Sequence, residues 1–408
     1  MRPGTVITGV GIVSALSDTP SGLHAALCEG KQAGTTVEKF DDREVSAPGM
    51  AVPIADFSAT EYVGEKGLSA LDRAGRLSVS AAHLALETSG WTSEMRERDE
   101  LDLVIGTTFC SAHSITQFDR KALLNGPKYA KPLDFANTVI NAAGGQTAIR
   151  HNLRGANTTV AAGKVSGLRA LRHAQIQVEH GLSKVALVGG VEELCFETFE
   201  AFALSGHAPR TSTSPIPFQA DRAGFILGEG AGFAVIENAE SAASRGAKVI
   251  GQLLGHGSSY DISRGEDESN AVERCAEAIS AALNHAEITA ADVKFVSCSA
   301  NGSPREDRFE ALALAKVFGD SLGSIPVTAA VSSGLGETLG ASGLFQLAAG
   351  LEAARTGQLP GTPGSSDGFD SSLPKLNISE SPVEGDFKTG LLLSVGFDGS
   401  SAASVMSV

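Results

Sequence analysis

The side chains most able to do chemistry in this sequence match no general metal-binding motif. Nine histidines are scattered along the chain without a His-x-x-x-His pair, the spacing that places two metal ligands on one helix face. The cysteines are widely spaced, odd in number and without a Cys-x-x-Cys pair, so they predict neither a zinc site nor a disulfide framework. They are Cys28, Cys110, Cys195, Cys275 and Cys298. We therefore expect no bound metal.

Two glycine-rich clusters are candidates for a nucleotide-binding loop. Gly9-Val10-Gly11 follows an apolar, strand-like run, but the third glycine of the dinucleotide fingerprint is missing. The cluster at 228–232 leads into another strand-like run, where the fingerprint requires a helix. Close backbone packing explains both clusters better, and we expect no cofactor.

Composition and charge narrow the classes of protein and partner. The 408 residues are 42% hydrophobic and 19% charged, a balance typical of folded chains with a large core. A net charge of -15 without a basic run argues against a nucleic-acid partner. Apolar runs stay below the roughly 20 residues needed to cross a bilayer, so we expect no membrane partner and a cytoplasmic location.

The elements that must position any site follow from hydrophobic periodicity. Four short apolar runs predict buried strands, at 103–107, 184–190, 232–236 and 391–395. Helical spacing of apolar residues predicts two helices, one across 168–178 and one across 272–283. Alternating strands and helices indicate an α/β protein with largely parallel sheets. The polar segments 36–62 and 357–388 are expected to be surface loops.

A longer pattern runs from end to end of the chain. It includes VITGVGIVSAL near the start, NTVINAAGGQTAIRHNLRGANTTV in the middle, GFILGEGA at 224–231 and Gly396-Phe397-Asp398-Gly399 near the end. With these motifs the sequence resembles the β-ketoacyl synthases of the thiolase superfamily, whose Gly-Phe-Gly-Gly gating turn corresponds to 396–399. The resemblance implies a thiolase-like, five-layered α-β-α-β-α fold with two similar halves, at 1–245 and 246–408. It also implies a dimer joined edge to edge.

The positions of the family's catalytic residues hold other side chains here. By motif position, Lys164 replaces the nucleophilic cysteine and Ser299 the first catalytic histidine. Glu337 replaces the second histidine, and Ser332 replaces the lysine five residues before it. A protonated lysine at a helix start cannot attack a thioester, and an ionised glutamate would repel the enolate charge of decarboxylation. We therefore expect vestigial positions and no catalytic residue.

Ketosynthase-like chains with this kind of loss resemble chain length factors, the β subunits of type II polyketide synthases. Lys164 departs from the glutamine that most members of that group carry. The resemblance implies a non-catalytic chain that pairs with a catalytic ketosynthase subunit. The pair would elongate a polyketide held on an acyl carrier protein, so carrier protein and growing polyketide are expected partners. The turn Gly340-Ala341-Ser342-Gly343 is similar to fatty-acid-type enzymes, which hints at a polyene-type product.

The resemblance also implies a product tunnel at the dimer interface, whose length this chain would limit. Its expected lining is Thr108, Phe109, Cys110, His113, Ser114 and Phe118. Phe109 and Phe118 would form the tunnel floor. For Phe109, ordinary core packing is an equal alternative. His113 can equally be a hydrogen-bonded interface histidine without a role in product length.

Lys164 and Glu337 replace two residues that lie within hydrogen-bond reach in active relatives. Because an unpaired buried lysine is costly, we predict a partly buried ion pair between them. Two alternatives remain open. Lys164 can find another carboxylate or point to solvent, or it can act as a Schiff-base nucleophile with a lowered pKa.

Two other functions compete with the non-catalytic one. The chain could be an active β-ketoacyl synthase or acyltransferase with a displaced nucleophile, for which Cys110 and Cys298 are the candidates. Neither is predicted at the start of a helix, where a thiolate would be stabilised. The chain could also be a homodimer that binds acyl groups without turnover.

Overall fold

The structure, a computed structural model, describes residues 4–208, 210–211, 213, 215–366 and 368–408. Strands and helices alternate along most of these ranges. The helices are α1 (Pro20–Cys28), α2 (Thr60–Val63), α3 (Arg73–Ser89), α4 (Ser93–Arg98), α5 (Ala112–Asn125), α6 (Pro132–Phe135), α7 (Ala142–His151), α8 (Ser166–Glu179), α9 (Phe196–Leu204), α10 (Ala239–Ser244), α11 (Glu268–His285), α12 (Pro304–Phe318), α13 (Ala330–Leu335) and α14 (Ser342–Thr356). In the part of the chain described, no helix combines the length and apolarity needed to span a membrane.

The strands include the four that hydrophobic runs predict. They are β1 (Thr5–Val13), β2 (Thr35–Phe40), β3 (Arg43–Val52), β4 (Asp102–Thr107), β5 (Asn157–Ala161), β6 (Val185–Glu192), β7 (Leu227–Gly228), β8 (Gly230–Asn238), β9 (Gly251–Tyr260), β10 (Phe295–Ser297), β11 (Pro326–Thr328), β12 (Gln358–Leu359), β13 (Asn377–Ile378), β14 (Val383–Glu384), β15 (Thr389–Val395) and β16 (Ser400–Ser407). The predicted strands are confirmed as β4, β6, β8 and β15, and the two predicted helices as α8 and α11.

Within the described ranges, eleven strands form one mixed sheet in the order β13-β11-β10-β15-β16-β9-β1-β8-β6-β4-β5. The two sides of this sheet repeat one pattern. On one side β5, β4 and β6 are parallel, and β8 and β1 follow antiparallel. On the other side β11, β10 and β15 are parallel, and β16 and β9 follow antiparallel. The two similar halves are therefore visible in the topology, while a boundary at residue 245 stays a prediction.

Helices complete a layered arrangement around the sheet. β1 joins the two sides through a short register with β9 that involves only Thr5–Ile7 of β1. α8 and α14 contact strands of both sides and so form a central layer. α3 covers the outer face of one side, and α11 and α12 cover the other. This order is the predicted five-layered, thiolase-like α/β fold.

Small residues let the central helices approach the strands closely. A Cβ atom on Gly190 of β6 would lie 2.4 Å from the carbonyl oxygen of Gly340. A Cβ on Gly167, at the start of α8, would lie 2.7 Å from the same atom. Because such approaches exclude any side chain, these glycines draw the start of α8 towards the turn that opens α14. Lys164 and Glu337 immediately precede these two features in the sequence.

One expected surface loop is wrong. Segment 36–62 contains the antiparallel hairpin of β2 and β3. Its turn consists of Asp41 and Asp42, and Asp41 adopts a φ of 51°, the left-handed conformation that aspartate tolerates in two-residue hairpin turns. Phe40 and Val45 of the hairpin pack on a small core outside the main one. In contrast, the described part of 357–388 is irregular apart from the two-residue strands β12, β13 and β14.

Candidate functional site

Lys164 lies in a single 3-10 turn, Gly163–Val165, that leads directly into α8. Its side chain is only 4% exposed. The ammonium Nζ lies 2.8 Å from Glu337 Oε2 and donates a hydrogen bond of 2.7 Å to the carbonyl oxygen of Ser299. The predicted ion pair is therefore present. It is almost completely buried, not partly buried as expected.

The carboxylate of Glu337 is held on both oxygens. Oε2 accepts a hydrogen bond of 2.6 Å from the side-chain amide of Asn301, and Oε1 accepts one of 2.8 Å from the backbone N–H of Leu339. These bonds fix the carboxylate opposite the lysine and offset part of its lost hydration. The sequence analysis did not single out Asn301. Asn301 could have been found from its position two residues after Ser299. A buried Glu337 carboxylate needs hydrogen-bond donors, and an amide side chain placed there can supply one.

Two further carboxyl groups from α12 surround the lysine. Glu310 Oε1 accepts a hydrogen bond of 2.8 Å from the Ser299 N–H, and burial raises the pKa of Glu310 to about 8 although the charge of Lys164 lowers it. Burial also raises the pKa of Asp307 to about 6, against hydrogen bonds from the backbone N–H groups of Phe218 and Asn301. The site thus keeps some of its acidic groups protonated near neutral pH.

The charge state of Lys164 decides between the alternatives for its role. Burial lowers the pKa of Lys164, but the charge of Glu337, their hydrogen bond and the charges of Glu310 and Asp307 outweigh it, and the pKa rises above the ordinary value. The lysine is therefore protonated at neutral pH. The Schiff-base alternative requires a lowered pKa, which is the opposite direction.

The hydroxyl groups of Ser299 and Ser332 are used in local bonds. Ser299 Oγ accepts a hydrogen bond of 2.9 Å from the Val395 N–H. Ser332 Oγ donates to the carbonyl oxygens of Ala300 and Ala329. Lys164, Ser299 and Glu337 thus form one bonded group, and Ser332 is anchored on the neighbouring residue Ala300. These bonds tie the four positions to one another and to the backbone beside them.

The expected tunnel segment begins beside the same site. The N–H groups of Thr108 and Phe109 each donate a hydrogen bond of 2.7 Å to the buried carboxyl group of Glu192. Thr108 Oγ1 donates to the carbonyl oxygen of Gly163 at 3.0 Å, which links this segment to the turn that carries Lys164. Phe109 is 39% exposed, so the core-packing alternative for Phe109 is wrong.

The remaining residues of that segment lie at or in α5. His113 Nδ1 lies 3.1 Å from Glu197 Oε2, and Ser114 Oγ donates to Asp72 at 3.0 Å. The histidine therefore has a partner within its own chain. Phe118 is half-buried and packs against Phe135, with ring centroids 5.8 Å apart.

A large apolar surface follows this segment. We call it the α5–α7 face, and it consists of exposed residues between the start of α5 and the start of α7: Ile115, Leu123, Leu124, Tyr129, Leu133, Phe135, Val139 and Ile140. β5, a terminal strand of the eleven-stranded sheet, contacts α7 and is half-buried. Large exposed apolar side chains concentrated in one stretch of chain, and an edge strand, are both features found at protein–protein interfaces.

The expected gating turn packs against the lysine turn. Gly396 N–H donates to the Ser400 carbonyl at 2.8 Å, and Gly399 has a φ of 92°, which requires glycine. A Cβ on Gly163 would lie 2.6 Å from a carboxylate oxygen of Asp398. Phe397 is half-buried and its ring contacts Phe202, with centroids 5.4 Å apart. Phe202 had no signal in the sequence, because its ring partners come from distant segments.

The candidate displaced nucleophiles are buried thiols. Burial raises the pKa values of Cys110 and Cys298 well above the ordinary range, and nearby carboxylates raise them further. Cys195 does lie at a helix start, as the N-cap of α9, but burial and the charge of Glu193 raise its pKa to about 12. None of the three carries the thiolate that attack on a thioester requires.

Two stretches fit the Gly-x-Ser-x-Gly pattern of serine hydrolases, and their context does not fit that chemistry. The stretch 319–323 is a 3-10 turn that follows α12, and Ser321 Oγ donates to the Phe318 carbonyl. In 364–368, of which residue 367 lies outside the described part, Ser366 Oγ is exposed and bonds Glu380. The pattern needs a strand-to-helix turn with a neighbouring histidine, and neither serine lies in such a turn.

Comparisons with known proteins agree with this geometry. Models of the N-terminal and C-terminal domains of beta-ketoacyl synthase match residues 4–242 and 250–365. The 3-oxoacyl-[acyl-carrier-protein] synthase 2 of Rhizobium meliloti is 29% identical over 93% of this chain and 90% of its own length. The tetracenomycin polyketide synthase ketoacyl synthase beta subunit of Streptomyces glaucescens is 30% identical over 98% of this chain and 97% of its own. The solved structure of the ishigamide ketosynthase/chain length factor matches with a TM-score of 0.90 and 25% identity over 100% of both chains.

Replacing Lys164 alone leaves a buried carboxylate without its counter-charge. We expect Lys164→Met to lower the free energy of unfolding by about 3–5 kcal/mol. The double variant Lys164→Met/Glu337→Gln removes both charges and keeps an acceptor for the Leu339 N–H, so we expect it to recover part of that loss. Urea unfolding followed by circular dichroism measures both values. A double variant no more stable than Lys164→Met would contradict the claim that the unpaired Glu337 carboxylate causes the loss.

The raised pKa of Glu310 predicts a specific pH dependence of stability. Between its ordinary value of 4.5 and about 8, the folded chain keeps a proton that the unfolded chain loses. The free energy of unfolding therefore falls as pH rises, by at most about 1.4 kcal/mol per pH unit from this group. In Glu310→Gln, which keeps the acceptor for Ser299, the fall across this window should be shallower. Glu277→Gln, on the exposed face of α11, is the control, and parallel profiles for Glu310→Gln and the native chain would contradict the prediction.

Proposed function

Because the chain belongs to the β-ketoacyl synthase family, we propose that it is a non-catalytic partner of a ketosynthase, the chain length factor of a type II polyketide synthase. In this function it forms a heterodimer with a catalytic ketosynthase subunit. The heterodimer elongates a polyketide bound to an acyl carrier protein. This chain contributes the part of the product tunnel that limits product length, and a polyene-type product stays a prediction from sequence.

The buried Lys164–Glu337 ion pair carries the proposal. It fills the positions where the family's motif has its nucleophile and its second histidine. A protonated lysine bonded to a carboxylate and a backbone carbonyl has no free electron pair for attack on a thioester. Decarboxylation needs preorganised donors aimed at a developing oxyanion, and by the resemblance the two histidine positions hold a single hydroxyl, Ser299, and an acceptor, Glu337.

The comparisons give independent support. The Streptomyces glaucescens relative is named as a ketoacyl synthase beta subunit, and the ishigamide structure is named as a ketosynthase/chain length factor. Other relatives are named as 3-oxoacyl synthases, which is the second candidate function. That candidate needs a nucleophile, and its two candidate cysteines, Cys110 and Cys298, are buried thiols whose pKa values burial raises.

The surface supports a partner protein. The α5–α7 face exposes apolar side chains that a monomer would leave in water at a cost of roughly 25 cal/mol per Å². The free edge of β5 presents backbone groups that a strand of a second subunit can bind. Phe109 adjoins this face, so its exposed ring is suited to closing a tunnel that enters from the partner.

Shortening the proposed tunnel floor tests the function. The chain is co-expressed with a catalytic ketosynthase from its own source and supplied with malonyl-loaded carrier protein, and products are analysed by mass spectrometry. We expect the native pair to assemble and Phe109→Ala to yield longer products, because the side chain that ends the tunnel is removed. Phe40→Ala, a half-buried phenylalanine of the β2–β3 hairpin, is the matched control and should leave product length unchanged.

Failure of the two chains to assemble would contradict the heterodimer. An assembled pair whose product lengths are the same for the native chain and for Phe109→Ala would contradict the tunnel. Turnover by this chain without the partner would favour the second candidate function.

A further inference from the structure

Phe202 of α9 lies at the centre of a cluster of rings. It contacts four of them edge to face, with centroid distances of 5.4 to 6.4 Å; they are Phe109, His207, Phe225 and Phe397. We call this set the Phe202 cluster. The four partners come from four separate segments, and Phe202 is the member that contacts them all. It is 5% exposed and belongs to the small core outside the main one.

Two outer rings of the cluster, Phe109 and Phe397, are more exposed to solvent than Phe202 at its centre. Phe109 is 39% exposed and Phe397 is half-buried in the turn 396–399. The backbone of Phe109 is held by Glu192, so a change at Phe109 is a rotation of its side chain. Edge-to-face contacts depend on the relative orientation of the rings, and packed interiors transmit displacements instead of absorbing them.

We propose that Phe202 is a positioning residue that couples the turn 396–399 to Phe109. A displacement of Phe397 forces the ring of Phe202 to rotate, and Phe109, which packs on the same ring, follows. The consequence for product length rests on the proposed function, because only a product tunnel makes the orientation of Phe109 selective. The coupling itself is a property of this chain alone.

Phe202 is also connected through Phe225 to a surface cleft. Phe225 and Arg222 border an open cleft of about 370 Å³, and Phe225 packs edge to face on Phe202 at 5.5 Å. Phe202 thus stands where three parts of the molecule meet: the cleft, the turn 396–399 and the proposed tunnel.

Phe199 provides a matched control. It lies on the same helix, one turn before Phe202, is equally buried and belongs to the same small core. Its ring partners differ, since it packs against Phe40 at 5.3 Å and beneath the guanidinium of Arg210 at 3.8 Å. Phe199→Ala therefore removes the same volume from the same core without touching the contacts to Phe109 and Phe397.

Fluorine NMR of the full chain tests the coupling without any partner. 4-Fluorophenylalanine is placed at position 109, and its resonance is compared before and after Phe397→Ala. We expect Phe397→Ala to shift the fluorine resonance in the native chain and in a chain that also carries the control Phe199→Ala. In a chain that also carries Phe202→Ala, we expect Phe397→Ala to cause no shift. Phe202→Leu, which keeps apolar volume and removes the ring, should abolish the response in a chain that retains its fold by circular dichroism.

Several outcomes would overturn the coupling. They are a resonance that ignores Phe397→Ala in the native background, a response that persists in Phe202→Ala and Phe202→Leu, or an equal loss of response in Phe199→Ala. In the co-expressed pair, we expect Phe202→Ala to lengthen products as Phe109→Ala does, with no further effect of Phe397→Ala. If the NMR coupling holds but Phe109→Ala and Phe202→Ala both leave product length unchanged, the proposed tunnel fails and the coupling stands.

Discussion

A protonated lysine can lie inside this protein because a carboxylate lies 2.8 Å from its ammonium group. Moving either charge from water into the interior costs several kcal/mol, and the pair is tolerated only with good geometry and with its remaining hydrogen bonds made. Those bonds come from Asn301, Leu339 and the carbonyl of Ser299. The site therefore depends on three segments of chain meeting at one point, and the close glycine contacts of α8, β6 and the 340 turn make that meeting possible.

The interior and the surface of the molecule differ in which groups remain free to interact with another molecule. Lys164 and Glu337 bond each other and their neighbours, and burial raises the pKa of the Cys298 thiol well above its ordinary value. The features that remain available lie outside: the α5–α7 face, the free edge of β5 and the exposed ring of Phe109. A bonded, buried ion pair at Lys164 and Glu337 together with an exposed apolar surface is what the proposed non-catalytic subunit would need.

The sequence allowed the fold and the core of the site to be predicted, and the limits of that prediction have physical causes. Hydrophobic runs predicted the strands because buried parallel strands are apolar on both faces. Motif order placed Lys164 and Glu337 together although they are far apart in the chain. The hairpin of β2 and β3 was missed because its many charged residues are typical of a loop. Its inward residues pack on a small core that forms only in the folded chain. Asn301 and Phe202 were missed because their roles arise from partners on distant segments.

The central claim is that this chain never carries the acyl group, and intact-mass spectrometry tests it most directly. The purified chain is incubated with acyl-loaded and malonyl-loaded carrier protein, alone and together with a co-expressed ketosynthase. The account predicts an acyl adduct on the ketosynthase only. An adduct on this chain would contradict it, and peptide mapping would then show whether Lys164, Cys110 or Cys298 is the residue modified.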